Sequence, residues 1–321
     1  MTKSSPLVSV VMACYNSERY LRQAIESVLA QTYANIELVI VDDCSSDSTV
    51  SIIKEYAATD GRVKLIQHTQ RGGRPAITKN TGLQHVNGQF LCFLDHDDYY
   101  HPDKIATLLD LLQRHDDCFA AFHDVDVVDG EGRFIRRYLD GFVDDARKYL
   151  SEVESDVLIC DRDFFVFQSV HYLAVSTLSI MIAVDRIPAN SLQFDPRFKV
   201  CDDAFLWIGL SLEGKMVYAN RILGCYRQHA TNITSDREKY LVDAVFYIQE
   251  NIARVKGRMR PGDFAALKMR LASYFSDLAW LYRCSNRSFL SFQACLRAWR
   301  WSGAPKHLLH AGKAFFSPRS S

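Results

Sequence analysis

Short, solid apolar runs and amphipathic stretches alternate through the first hundred residues. Leu7–Ala13, Glu37–Val41, Val63–Gln67 and Phe90–Leu94 are largely apolar and are bounded by polar residues, as expected of strands covered on both faces. Between them, Leu21, Ala24, Ile25, Val28 and Leu29 share one helical face. A second helix carries Val50, Ile53 and Ala57 behind Ser45, Ser46 and Asp47 as candidate N-caps. A third starts at Pro75, which suits a first helical turn, and reaches Gln84; a fourth runs from Pro102 to Arg114. This alternation predicts an α/β fold: a mostly parallel sheet with helices on both faces.

The pattern then changes. Cys118–Phe134 reads as an apolar strand in which Asp124, Asp126 and Asp129 alternate with Val125, Val127 and Val128, which predicts a strand edge with solvated carboxylates. Asp140–Phe167 has little periodicity. Phe164–Val184 is uncharged, but its Gln, His, Ser and Thr residues and its flanks Asp163 and Asp185 argue against a membrane span. Irregular chain followed by a buried strand fits it better. From Tyr240 the spacing is helical: Leu241, Ala244, Val245, Ile248 and Ile252, then Leu271, Tyr274, Phe275, Leu278 and Leu281.

Composition adds two constraints. Nine cysteines with no C-x-x-C pair, several of them in apolar runs, read as reduced, buried thiols of a cytoplasmic protein. The first apolar run is too short for a secretion signal and reads as a strand. The 321 residues have a net charge of zero, but Leu278–Ser321 holds seven Lys and Arg and no Asp or Glu, leaving residues 1–277 with 31 basic and 38 acidic residues. An acidic body with a basic tail points the tail at something anionic.

The candidate chemistry centres on Phe90–Pro102, where the apolar run ends in Asp95, His96, Asp97 and Asp98. Ligands of open α/β sheets bind at the C-terminal ends of strands, and crowded carboxylates call for a compensating charge. A hard divalent cation shared with a diphosphate supplies one; a solvated acidic turn capping the next helix is the plainer alternative. Asp42 and Asp43 close the second strand at the same edge. The absence of G-x-G-x-x-G after the first strand and of a Walker A sequence excludes the usual dinucleotide and P-loop sites.

Three stretches, VSVVMACYNSERYLRQAIESVLAQTYANIELVIVDDCSSDST, GGRPAITKNTGL and FLDHDDYYHPDKI, together resemble the inverting glycosyltransferases of family 2 over roughly the first 130 residues, and more weakly to Thr234. The resemblance implies the GT-A fold, with a glycosyltransferase domain over 1–235 (nucleotide-sugar half to about 130, acceptor half from 131) and a helical C-terminal extension over 236–321. It assigns Ala13, Tyr15, Asn16, Glu18, Asp43, Arg74, Lys79 and Asp97 to the nucleotide-sugar. Within that set, Tyr15 lies near the base, Asp43 accepts from it, and Asp97 meets ribose or sugar hydroxyls. Asp98 and His229 are the implied ligands of Mg²⁺ or Mn²⁺. FDPRFKVCDDAFLWIGL resembles the family's second landmark and makes Asp203 the catalytic base; CYRQHATNITS resembles its Tyr-Arg-x-His loop. Ala13, Lys79 and His96 depart from the commonest family residues.

The implied reaction is inverting transfer from a nucleotide-diphosphate sugar, UDP being the commonest nucleotide of the family, to a hydroxyl of a glycan or lipid-linked acceptor. Nucleic acid is not an expected partner. A sugar nucleotidyltransferase and a non-catalytic sugar-binding module are the competing readings. Arg74 and Lys79 also read as exposed loop and solvated helix surface. Tyr138, Tyr149, Phe164 and Phe165 are candidates for sugar stacking or for core. The tail, with Phe289, Phe292, Leu296, Trp299, Trp301, Leu308, Leu309, Phe315 and Phe316 among Arg297, Arg300, Lys306 and Lys313, reads either as an interfacial helix making a peripheral membrane contact or as packing surface.

Overall fold

The computed structural model describes residues 5–316 apart from 147, 148, 162, 172, 189 and 258, with side chains described as far as His310. The side chains of Lys313, Phe315 and Phe316 lie outside it. The chain divides into two compact units, one of residues 1–168, 172–198 and 202–230, the other of 169–171, 199–201 and 231–321.

The first unit opens with β1 (Val8–Cys14), α1 (Leu21–Leu29), β2 (Ile36–Asp42), α2 (Thr49–Thr59), β3 (Val63–Gln67), α3 (Pro75–Leu83) and β4 (Phe90–Phe93). These four strands pair in parallel in the order β3-β2-β1-β4. All seven residues of β2 are buried, as an interior strand between helical layers requires. Only Val63 of β3 is buried, and its exposed Lys64 and Gln67 suit a sheet edge. α1 buries Leu21, Ala24, Ile25 and Val28. α3 lies close on β1 because Gly82 has no side chain: a Cβ there would stand 2.5 Å from Val11 Cγ1.

The unit continues through β5 (Tyr99–Tyr100), α4 (Lys104–Arg114), β6 (Cys118–Val128), β7 (Phe134–Arg137), α5 (Phe142–Ala146), β8 (Leu150–Glu154), β9 (Val157–Cys160), α6 (Phe164–Val170), β10 (Ile180–Ala183), α7 (Asp202–Leu210) and β11 (Lys215–Arg227). β10 runs antiparallel between β4 and β6, β11 parallel to β6, and β9 and β8 extend the sheet. The result is one mixed sheet, parallel in its first half, with helices packed against it.

The structure corrects one expectation, the solvated edge at Asp124, and decides between two readings of Phe164 and Phe165. β6 is an interior strand, and Asp124 is fully buried: it accepts from the amides of Val125 and Leu139 at 2.8 and 2.9 Å and pairs with Arg137 at 2.7 Å. An acid/valine alternation is the same for a solvated edge and for an interior strand whose charge is paired, and here the pairing decides. Phe164 and Phe165 are core, at 0% and 1% exposure; Phe164 stacks on Phe122 with centroids 5.6 Å apart. Among its described residues, the stretch 140–167, which shows little periodicity, forms α5, β8, β9 and the start of α6.

The second unit is helical: α8 (Arg237–Val255), α9 (Pro261–Cys284), α10 (Ser288–Ser302) and α11 (Pro305–Phe316). Leu241, Ala244 and Ile248 of α8 and Leu267, Leu271, Phe275 and Leu278 of α9 form its apolar interior. The Asp243 carboxylate caps the backbone amides of Lys199 and Val200, each at 2.7 Å. None of the described helices is long and apolar enough to cross a membrane.

Candidate active site

The chain order puts the crevice between β1 and β4: β2 follows β1 to one side, β4 lies on the other, and their C-terminal ends open there. This is the switch point at which open α/β sheets take ligands.

On the β1/β2 side, the loops are laced together. Asn16, at φ +49°, donates its amide to Ser45 Oγ and accepts from the Ser46 amide, each at 2.9 Å. Glu18 accepts from the Ser48 amide at 2.9 Å and donates its own amide to Asp47 at 3.1 Å, so it fixes the start of α2. Tyr15 is exposed, with the Arg71 guanidinium 3.8 Å above its ring. Ala13 pairs in register with Val41. Asp43 is 4% exposed and accepts from the amides of Gly72 and Gly73 at 2.7 and 2.8 Å and meets His68 Nδ1 at 2.7 Å. Gly73 supplies the left-handed φ of +70° that turns both amides onto one carboxylate. Burial alone would raise the Asp43 pKa, but the His68 and amide hydrogen bonds hold it below the usual carboxylate range. Asp43 is thus a built anion with one acceptor position left for a ligand.

On the β4 side, Asp98 is 1% exposed. Its Oδ1 accepts from the Arg227 amide at 2.8 Å, and its buried Oδ2 has no hydrogen-bond partner. Burial pushes its carboxyl well above the ordinary range, and the charges of Asp97 and Asp95 push the same way. Asp97 Oδ2 meets His229 Nε2 at 2.9 Å; burial would raise its pKa, and this hydrogen bond with the His96 and His229 charges brings it below. Arg227, buried, ties the loop down: Nε donates to Asp97 O at 3.0 Å and Nη2 to Gln23 Oε1 at 2.6 Å.

These residues fit a divalent cation. Among the described residues no three His, Cys, Asp or Glu side chains converge into a complete metal cage, but Mg²⁺ or Mn²⁺ on a diphosphate takes only one or two carboxylates from protein. An orphaned, buried carboxylate oxygen on Asp98 beside Asp97 is such a donor set.

The third part comes from α7. Asp202 and Asp203 occupy its first turn, where the helix dipole favours negative charge. Asp203 is half-buried; its Oδ2 accepts from Thr177 Oγ1 and its Oδ1 from the Ala204 amide, at 2.8 and 2.7 Å. Asp202 is buried and receives Lys79 Nζ at 3.2 Å. The sequence places Lys79 on the donor or on solvated surface; it is instead 5% exposed and 4.9 Å above the Phe194 ring. Burial pushes the Lys79 pKa down, but Asp202, Asp95 and Asp203 together push it above its ordinary value. Asp202 is raised to about 6, by burial first and by Asp203, against the pull of Lys79. Arg74 donates to the backbone carbonyls of Pro196 and Arg197, both at 2.7 Å, so it buttresses the segment ahead of α7. His68, Thr177 and Gln23 carry no sequence signal, and only their contacts single them out.

Removing one partner of a buried ion pair leaves an uncompensated charge and costs about 3–5 kcal/mol. Lys79→Met is therefore expected to lower stability by about that amount at neutral pH, with Asp202→Asn restoring much of it. With its folded pKa raised above the unfolded value, Asp202 stabilises only while protonated, and that contribution is lost as pH rises through about 6. Without Lys79 the Asp202 carboxyl rises further, so the deficit of Lys79→Met should shrink as pH falls from neutral toward about 6, where Asp202 takes up its proton in the wild type as well. A denaturant-melt series from pH 4.5 to 7.5 measures it, and a pH-independent deficit would mean that Asp202 does not carry the charge.

An α/β sheet of this order, with acidic loops at the β1/β4 crevice and an acidic helix start beside them, has the GT-A fold. Residues 9–169 match the family model for glycosyl transferase family 2, and the chain belongs to that family. TuaG of Bacillus subtilis (strain 168), a glycosyltransferase assigned to teichuronic acid biosynthesis, is 26% identical over 251 residues, 78% of this chain and 90% of TuaG. The Staphylococcus aureus TarS fragment 1–349 in complex with UDP superimposes with a TM-score of 0.62 at 18% identity, covering 96% of this chain and 86% of that one. The mannosyltransferase PcManGT of Pyrobaculum calidifontis, in complex with GDP-Man and Mn²⁺, gives 0.59 at 16% identity, covering 98% and 88%. At those identities the two structures establish the fold.

Proposed function

We propose that the enzyme transfers a sugar from a UDP-sugar to a hydroxyl of a glycan or lipid-linked acceptor, with inversion at the anomeric carbon, in polysaccharide or glycoconjugate synthesis at the cytoplasmic face of the membrane. The observation that carries this reading is Asp203: a half-buried carboxylate, oriented by Thr177 and flanked by the fixed Lys79–Asp202 pair, in the same charge cluster as Asp95. The acceptor oxygen bonds to the anomeric carbon while the bond from that carbon to the diphosphate oxygen breaks. The diphosphate leaves with the electron pair, and Asp203 takes the hydroxyl proton. A sugar hydroxyl is a weak acid, so the base acts only as the proton becomes acidic in the transition state.

Tyr15, Asn16, Glu18 and Asp43 shape the nucleoside end, together with Ala13 near the end of β1. Asp97 binds ribose or sugar hydroxyls. Asp98 would hold Mg²⁺ or Mn²⁺, with Asp97 and His229 beside it, and the ion would neutralise charge on the diphosphate. Arg74 and Lys79 act on this site by fixing the chain ahead of α7 and its first turn. The domain limits that fit this division are 1–235 for transfer and 236–321 for the helical extension, whose basic helices make a peripheral membrane contact.

TarS has also been crystallised with UDP-GlcNAc, which supports the choice of nucleotide. The test is a thermal-shift screen of nucleotide-sugars with and without Mn²⁺, because a ligand of the native state raises the midpoint. A rise with a UDP-sugar that grows when Mn²⁺ is added is expected; no rise with any UDP-sugar refutes the donor assignment.

A further inference from the structure

In α10, Ser291, Ala294, Cys295 and Ala298 are buried on one face. At 100° per residue, Phe289 and Leu296 lie on the opposite face, with Trp299 on one flank of it and Leu290 on the other. Phe289 is 63% exposed, Trp299 41% and Leu309 of α11 68%. Large apolar groups exposed together mark an interaction surface.

Beside that stripe is a cavity of about 580 Å³, lined by Gln249, Lys268, Phe275, Arg297, Arg300 and Trp301. Its three cations have no carboxylate partner among the described residues; Arg297 lies 5.8 Å from the Phe275 ring and Lys268 4.8 Å from the Phe264 ring. Arg297 and Arg300 are one turn apart, a spacing that lets two guanidinium forks meet one phosphate. The whole segment from Leu278 to Ser321 contains no acid.

We infer that this cavity is a phosphodiester site for the headgroup of an anionic lipid, and that the Phe289–Leu296–Trp299 stripe enters the bilayer interface beside it. The occupant is a membrane rather than an acidic protein because the cations flank exposed Trp, Phe and Leu side chains, the composition that places aromatic rings at headgroup level while basic groups meet lipid phosphate. The inference rests on the membrane contact proposed above and deepens it: binding is through a defined site, not through diffuse charge alone.

The full chain is tested for co-sedimentation with phosphatidylcholine vesicles with and without about one-third phosphatidylglycerol; each basic group at an anionic surface contributes about five-fold in partition. The wild type is expected to bind only the anionic vesicles. Arg297→Gln/Arg300→Gln, which removes two cavity cations, should lower partition by about 25-fold. Lys256→Gln/Arg283→Gln removes the same charge from exposed positions of the same unit that do not line the cavity, and should lower it by less than about three-fold. Both variants must keep the wild-type thermal midpoint, and Trp299→Ser, which leaves the cations in place, should also weaken binding. Equal losses in the two charge variants overturn the site while leaving membrane contact standing. No binding of the wild type to anionic vesicles overturns both. If inorganic phosphate raises the thermal midpoint through Arg297 and Arg300 while vesicles do not bind, the cavity is a site for a soluble anion and the lipid assignment fails.

Discussion

Asp203→Asn is expected to bind donor as the wild type does and to turn over at least ~10²-fold more slowly, the usual range for loss of a general base. The substitution is nearly isosteric. The new amide oxygen can still accept one of the two hydrogen bonds that orient the carboxylate, from Thr177 Oγ1 or from the Ala204 amide. What is lost is the capacity to take a proton. Because Asp203 sits at the start of α7 and not among the loops after β1, β2 and β4, donor affinity should be separable from turnover. Single-turnover kinetics with a titrated donor makes the distinction. A parallel fall in donor affinity and kcat would make Asp203 a binding or positioning residue, and the base would have to be sought elsewhere.

Asp98→Asn should abolish transfer that depends on added Mg²⁺ or Mn²⁺ while leaving the protein folded. The oxygen of the introduced amide can replace Oδ1 as acceptor for the Arg227 amide, which preserves the tie between the β4 loop and β11. The amide nitrogen then stands where Oδ2 now has no partner, and an NH₂ group cannot ligate a hard cation. The native carboxyl is pushed up by burial and by Asp97 and Asp95, so the substitution also relieves charge crowding, and the thermal midpoint without metal should not fall. Wild-type enzyme that transfers sugar at full rate after EDTA treatment would remove the metal from the account.

The division between what the sequence reveals and what it hides has a physical basis. β1, β2 and β4 are legible because both faces are buried and their solid apolar runs leave no polar alternation to confuse; β3, at the sheet edge, is legible from Val63, Leu65 and Ile66, and Val63–Gln67 matches it residue for residue. α1 is legible because its apolar residues Leu21, Ala24, Ile25 and Val28 share one face. Asp124 is misread from sequence because local alternation cannot tell a solvated acid from one paired across strands with Arg137. Lys79 is misread because its partner, Asp202, is 123 residues away; nothing in TKN around Lys79 marks burial. The clustering of acids after β2 and β4 is visible in the chain, but which oxygens are already engaged is not. Asp43 gives most of its acceptor capacity to Gly72, Gly73 and His68, whereas Asp98 keeps one oxygen unpaired, and that difference arises only when distant loops close on them.

The most direct test of the central claim, a single inverting displacement on a UDP-sugar, is the anomeric configuration of the product. Time-resolved proton NMR of an α-linked UDP-sugar with the enzyme and Mg²⁺, with water or a glycan as acceptor, reports the configuration before the free sugar can equilibrate. The account predicts that the β anomer appears first, together with UDP, and that Asp203→Asn slows its appearance. An α product, or release of pyrophosphate in place of UDP, would contradict it.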